Sequence, residues 1–210
     1  MSVLSASASG QKTFNPGLII LATILGPMIQ EIDSMVVGVA LPHMRGQFSA
    51  APDQISWVLT TFLIGVAVTM PATGALASKF GRKKILIIAI FGFTLMSVFG
   101  GLATSLSELI AIRFIQGAFG AVLTPLSMST LLDNFRREDH GMALGWWGVG
   151  IMVAPIMGPT VGAYIAEQFT WRGVFFINVP FGILACAVIA SNVPVRIKRD
   201  VKTFNYSGFL

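Results

Sequence analysis

Residues 31–42, EIDSMVVGVALP, set two carboxylates inside an apolar run that extends from about Leu18 to Leu41. Crossing the hydrocarbon of a bilayer takes about 20 apolar residues, so the run is long enough to span one. An acid near the centre of such a helix costs roughly 2.5–3.5 kcal/mol on insertion scales. This stretch therefore points to a membrane protein in which Asp33 has a task that outweighs its cost.

The rest of the chain agrees. Of its 210 residues 54% are hydrophobic and 11% charged, with a mean hydropathy of +0.78. Soluble domains carry about 25% charged residues. Five more apolar runs follow the first, and the approximate spans are 18–42, 54–77, 85–104, 107–132, 141–166 and 174–194. The first run is too long for the core of a signal peptide, and more spans follow it, so it is read as a retained helix. The expected organisation is a tail over 1–17, a six-helix transmembrane bundle over 18–194, and a basic linker over 195–210 that ends at the start of a further, truncated helix. The single cysteine, Cys186, excludes an intrachain disulfide.

The Lys and Arg residues orient the spans. With the N-terminus cytoplasmic, Lys12, Lys79, Arg82, Lys83, Lys84, Arg136, Arg137, Arg196, Lys198, Arg199 and Lys202 fall inside, and only Arg45 and Arg172 outside. That is the asymmetry of the positive-inside rule, so the pI near 9.8 follows from topology and no nucleic-acid partner is expected.

Asp33 lies 16 residues beyond Gly17, about 24 Å along a helix, which puts it past the midplane towards the outside. Ionisable groups at such depth face cavities or partners. Glu31 is two positions earlier, about 200° around the helix, and points elsewhere. Arg113, in LIAIRFIQGAFG, is the second buried charge. It falls at a depth comparable to that of Asp33, so a pair between the first and fourth spans would make both burials tolerable. Gln116, one turn on, shares its face and is placed to orient it.

Two other stretches stand out. GALASKFGRKK, residues 74–84, reads as a tight inside loop. In it Gly74 and Gly81 permit close approach; the basic residues could bind helix C-termini or an acidic partner, but their charge alone reads first as enforcing topology. In the fifth span Ala154, Gly158 and Gly162 recur every four residues as a stripe for close helix contact, while Pro155 and Pro159 remove backbone donors and invite a bend. Trp57 and Trp171 fall at outer span ends and suit an aromatic belt. His43 and His140 read as solvated loop residues. No Cys/His spacing suggests zinc, and no hydrolase, zincin or nucleotide-binding motif is present, so neither a cofactor nor an enzyme is expected.

Four motifs in order resemble the N-terminal half of a major facilitator superfamily transporter, most closely the 14-helix drug:proton antiporters. IDSMVVGVALP is similar to the helix 1 pattern, with Asp33 on its aspartate. GALASKFGRKK is similar to the helix 2–3 loop pattern through Gly74, Gly81, Arg82 and Lys83, RFIQGAFGAVLTP to the helix 4 pattern with Arg113 on its arginine, and APIMGPTVGAY to the antiporter helix 5 signature. WRGVFFINVPFG and the closing FNYSGFL also resemble that subfamily. There are departures: Ser78 stands where the loop motif has aspartate, Gly38 where the helix 1 pattern often has asparagine, and Ala163 where the helix 5 pattern ends in glycine.

The resemblance implies an all-α fold of 3+3 inverted repeats, one half of a larger protein that rocks around a central site. It implies proton-coupled export of drugs or other small molecules from the inner membrane. Asp33 would face a water-accessible pathway and carry the proton, Arg113 would tune it, and residues 74–84 and the helix 5 motif would gate. The partners are then protons, a small-molecule substrate, the lipid bilayer and a missing C-terminal half. The competing expectations are a facilitator for another solute and a truncated product that does not transport.

Overall fold

The computed structural model describes residues 16–193; the tail before residue 16, and the linker and further helix expected after 193, lie outside the described residues. Those residues form helices and the short turns between them: α1 (Pro16–Phe48), α2 (Pro52–Thr69), α3 (Thr73–Phe80), α4 (Arg82–Leu102), α5 (Leu106–Gly120), α6 (Leu123–Asn134), α7 (His140–Gln168), α8 (Gly173–Phe176) and α9 (Asn178–Asn192). They build six segments long and apolar enough to cross a membrane, namely 16–48, 52–80, 82–102, 106–134, 137–168 and 173–192. Each expected span is present.

Three spans are broken, and proline accounts for the breaks. Its ring collides with the carbonyl four residues back and it offers no N–H. Pro125 sits four residues after the turn at Ala121 that divides α5 from α6. Pro180 stands four after Phe176, where α8 ends, and Pro71 lies in the 3-10 turn Met70–Ala72 between α2 and α3. By contrast α7 runs as one helix through both Pro155 and Pro159.

Two boundaries correct the sequence reading. The first helix extends to Phe48, so that His43 is an exposed helical residue rather than a loop residue. Fully buried Met44 explains the extension, because it packs with Val58, Leu109 and Trp171. Asp33 thus falls at the middle of a 33-residue helix, about 50 Å long, and not towards its outer end. The stretch 74–84 is also not a loop. It stays helical to Phe80, and Gly81 alone separates α3 from α4 with φ of 89°. A residue with a Cβ is strained at that angle. Gly74 has no neighbour that a Cβ would meet, so close approach is not its reason.

Packing follows an internal symmetry. The most extensive contacts are α1 with α7, that is the first span with the fifth, and α2 with α5, the second with the fourth. Next come α1 with α9 and α4 with α5, then α4 with α9. Exchanging spans one, two and three for four, five and six maps this set onto itself, as two inverted three-helix repeats require. Both major seams use small residues. A methyl on Gly158 would lie 2.9 Å from Met35 Cβ, and one on Gly162 equally close to Val36 Cα. In the other seam methyls on Gly65 and Gly117 would overlap the carbonyls of Phe114 and Phe62. Ala154, Gly158 and Gly162 are all buried, and Gly158 and Gly162 lie against α1 in the close helix contact that the stripe predicts.

The interior is two apolar clusters. One, nearer the basic residues at 79–84, includes Leu25, Ile29, Phe62, Phe93, Val122 and Ala185. The other, towards the opposite end, includes Val36, Val58, Leu109, Trp171 and Phe175. On each helix that contributes to both there is a change of cluster, and the polar side chains sit at that level.

Candidate functional site

On α1, Asp33 falls between Ile29 of one cluster and Val36 of the other. On the fourth span, Arg113 and Gln116 fall between Leu109 and Val122, and Asn178 between Phe175 and Ala185. The start of α5 is set by Ser105, whose hydroxyl accepts from the Glu108 backbone N–H at 3.2 Å, while Glu108 accepts from the Thr104 N–H at 2.9 Å. From that start Arg113 and Gln116, three apart, project on one side of the helix.

The side chains of Asp33, Arg113, Gln116 and Asn178 all lie out of reach of solvent. Arg113 Nη1 donates to Asp33 Oδ2 at 2.5 Å and to Gln116 Oε1 at 2.8 Å. Arg113 Nε points to the Val58 carbonyl at 3.3 Å, and its guanidinium lies 4.2 Å from the centre of the Phe62 ring. The other carboxylate oxygen, Asp33 Oδ1, accepts from Gln116 Nε2 at 3.1 Å and from Asn178 Nδ2 at 2.7 Å. Asn178 Nδ2 also donates to Ser97 Oγ at 2.8 Å, and the Ser97 hydroxyl in turn donates to the Phe175 carbonyl at 2.8 Å. One carboxylate thereby joins α1, α2, α4, α5, α8 and α9.

Three donors on the carboxylate, with Arg113 Nη1 and Nε on oxygens, meet most of what an apolar surround demands of a buried charge pair, and Arg113 Nη2 is left without a partner. The depth match between Asp33 and Arg113 is realised, although α1 and α5 share little direct contact and the long arginine closes the gap. Asp33 itself is sealed within the bundle against its partner Arg113, where the resemblance implied a position facing a water-accessible pathway. Glu31 is half-buried and stands apart: among the described residues neither ion pair includes it.

The residues at the basic end form a second, exposed set. Arg82 makes an ion pair with Asp133 near the end of α6, and Lys83 Nζ donates to the Ala190 carbonyl in the last turn of α9 at 2.7 Å. These contacts are with an acid and a helix end, so beyond their charge Arg82 and Lys83 tie α4 to α6 and α9. Ser78, which stands where the motif has aspartate, turns its hydroxyl to the Ala75 carbonyl of its own helix.

Other residues correct the sequence reading. Trp171 is buried, with its ring against Phe48 and Phe175 and its N–H on Gln47, so it is a packing residue and no part of an aromatic belt. Trp57 remains half exposed. His140 is not merely solvated, since its Nε2 lies 3.1 Å from the Leu132 carbonyl and 3.2 Å from that of Phe135, closing the α6–α7 turn. Asn178 and Ser97 were absent from the candidates. The available signal was a lone amide, Asn178, in the apolar passage FFINVPFG.

Comparison with known proteins extends this picture. The family profile of the Major Facilitator Superfamily matches residues 23–204. The chain is 42% identical over 166 residues to the multidrug export protein EmrB of Haemophilus influenzae, across 79% of this chain and 32% of that protein. It is 35% identical over 196 residues to the EmrB of Escherichia coli K12, across 92% and 38%. The solved proton:xylose symporter XylE matches with a TM-score of 0.78 at 19% identity, over 86% of this chain and 45% of that one, a likeness of fold. The chain thus spans about a third of the length of the curated relatives it matches. With the paired repeats and the family match together, the chain belongs to the Major Facilitator Superfamily, and its six spans are one half of that transporter fold.

Proposed function

We propose that this bundle is the N-terminal half of a proton-coupled exporter of drugs or other small molecules, working by alternating access in the inner membrane with its N-terminus in the cytoplasm. The observation that carries the reading is the Asp33 cluster: a carboxylate held by Arg113, Gln116 and Asn178 where two apolar clusters meet. A carboxylate there is a site for a single proton, and its charge governs whether the guanidinium is paired. Taking up a proton from one side and releasing it to the other drives a substrate the opposite way, if access alternates around the site. The relatives named as multidrug export proteins support the substrate class. A second portion of the protein, completing the cavity, and protons are the partners this reading requires. Residues 78–83 and the Gly158–Gly162 seam are the parts that would move, at the basic end and along α1.

The test is export of a fluorescent lipophilic cation from cells, driven by an imposed proton gradient, by the complete transporter and its Asp33→Asn form. The reading expects gradient-driven export to vanish in the variant while the protein still reaches the membrane. Full gradient-driven export by Asp33→Asn would sink it.

A further inference from the structure

Around Asp33, Asn178 and Arg113 each keep one buried polar atom without a partner, and in Asn178 the two ends of one amide differ in this. Its Nδ2 serves both Asp33 Oδ1 and Ser97 Oγ, yet its Oδ1, equally buried, has no partner. A buried amide oxygen left without a donor is costly, and turning the amide over exchanges the two ends at no cost in shape. With Asp33 ionised that exchange is forbidden, because it would set oxygen against carboxylate. With Asp33 protonated it lets Oδ1 accept from both Asp33 and Ser97, and Nδ2 takes the place that has no partner.

We propose that Asn178 reads the protonation state of Asp33 and passes it to α4 and to the junction of α8 and α9. The inference rests on the reading of Asp33 as the proton-carrying group. In the ionised state Nδ2 donates to Asp33 and to Ser97, and Ser97 donates to the Phe175 carbonyl, while Oδ1 stays without a partner. A proton arriving at Asp33 settles on Oδ1, since Oδ2 faces the cationic Arg113. The new O–H needs an acceptor, and Asn178 supplies one by turning its Oδ1 to the place its Nδ2 held. Ser97, which accepted from that nitrogen, now meets an oxygen and turns its own proton to it. The Phe175 carbonyl is thereby released. Phe175 lies in the four-residue α8, two residues before the junction at Ile177 where Pro180 has already broken the helix. A proton on α1 is in this way converted into a loosened tie between α4 and the start of the sixth span.

The charged groups around Asp33 leave this task to neutral ones. Among the described residues, Arg113 on α5 is the charge that meets it, and Glu31 lies on another side of α1. Asp53 of α2, Lys79 of α3, Arg82, Lys83 and Lys84 of α4, Asp133 of α6, His140 and Glu167 of α7, and Arg172 before α8 sit at or near the ends of their helices. Ser97 and Asn178 are what α4 and α9 bring to the carboxylate.

The measurement is infrared spectroscopy of the complete protein in lipid, followed from alkaline to acid pH, reading the C=O band of the protonated Asp33 carboxyl. Asp33→Asn identifies the band by removing it. In Asn178→Leu the carboxyl O–H loses its acceptor and the band moves to higher wavenumber. In Ser97→Ala the acceptor is no longer shared, and the band moves to lower wavenumber, a change of opposite sign that a packing defect does not give. A band present in the wild type, absent in Asp33→Asn and unmoved in both other variants overturns the role of Asn178 and leaves that of Asp33 intact. If Asn178→Leu does not fold, Ser97→Ala decides alone, and an unmoved band rejects the proposal. Absence at every pH of any band that Asp33→Asn removes would instead refute the proton-carrying reading on which the proposal stands.

Discussion

Asp33 and Arg113 form one ion pair at 2.5 Å with neither side chain reached by solvent, and the pair bridges the first and fourth spans, the equivalent leading helices of the two repeats. A buried pair is weak evidence of stability in itself, because the loss of hydration offsets the attraction. What it does is make each partner dependent on the other. Removing one leaves an uncompensated buried charge.

The first prediction concerns that dependence. Arg113→Met should destabilise the bundle by about 3–5 kcal/mol, the range for breaking a buried pair. Adding Asp33→Leu should restore much of that loss, because the unpaired charge is gone and the two apolar clusters can meet. Denaturant unfolding in mixed micelles of the single and double variants measures the coupling. Equal, additive losses would show that the pair does not behave as a unit.

A second prediction separates gating from stability at the basic end. Arg82 and Asp133 are both substantially exposed, at 45% and 37% of their side chains. Exposed pairs contribute about 0–1 kcal/mol. Arg82→Gln should therefore leave the melting temperature nearly unchanged while lowering transport, if the contact between α4 and α6 matters to the cycle. A variant with normal export would assign Arg82 to charge placement alone.

How far the sequence revealed this site differs from residue to residue. Asp33 and Arg113 are conspicuous because a charge in an apolar run is improbable without a partner, and counting residues from the span ends brought them to one level. The sealing of Asp33 was not legible, because depth along a helix says nothing about which neighbours close over it. Asn178 escaped because an amide carries no charge and, at the start of a helix, passes for a cap. Only the tertiary packing shows that it stands beside Asp33. Trp171 was misplaced for a related reason: the end of a span is where belt tryptophans occur, and nothing in its neighbours announces the pocket made by Phe48 and Phe175. The prolines lay in plain view, yet Pro125 and Pro180 follow breaks in their spans while α7 runs unbroken through Pro155 and Pro159, a difference that residue type alone does not carry.

The third prediction tests the junction between α3 and α4. Gly81 adopts φ of 89° and ψ of 137°, open to glycine and strained for other residues, and its surroundings leave room for a methyl group. Gly81→Ala should thus cost about 1–3 kcal/mol through backbone strain alone. Gly74→Ala, in a helix with free space, should be neutral or slightly stabilising, since alanine is the better helix former. Thermal unfolding in detergent of the two variants side by side checks this, and a reversed order would contradict the backbone assigned to residues 73–82.

The last prediction concerns the two seams that the repeats share. Gly117 on α5 lies so close to α2 that a methyl would overlap the Phe62 carbonyl, and Gly65 stands in the same relation to Phe114. Neither obstacle is the end of a flexible side chain, so the helices must part to admit any substituent. Overpacking a tight interior costs about 1–3 kcal/mol, and here it would also displace Phe62 from the guanidinium of Arg113. Gly117→Ala is therefore expected to lower stability and to disturb the Asp33 cluster together. At the symmetry-related seam Gly162→Ala should part α7 from Val36 and lower stability, while acting on the cluster only through α1. Comparing unfolding with the infrared band of the carboxyl group distinguishes the two: both variants lose stability, and the band shifts more in Gly117→Ala. An undisturbed band in Gly117→Ala would mean that the α2–α5 seam does not position Arg113.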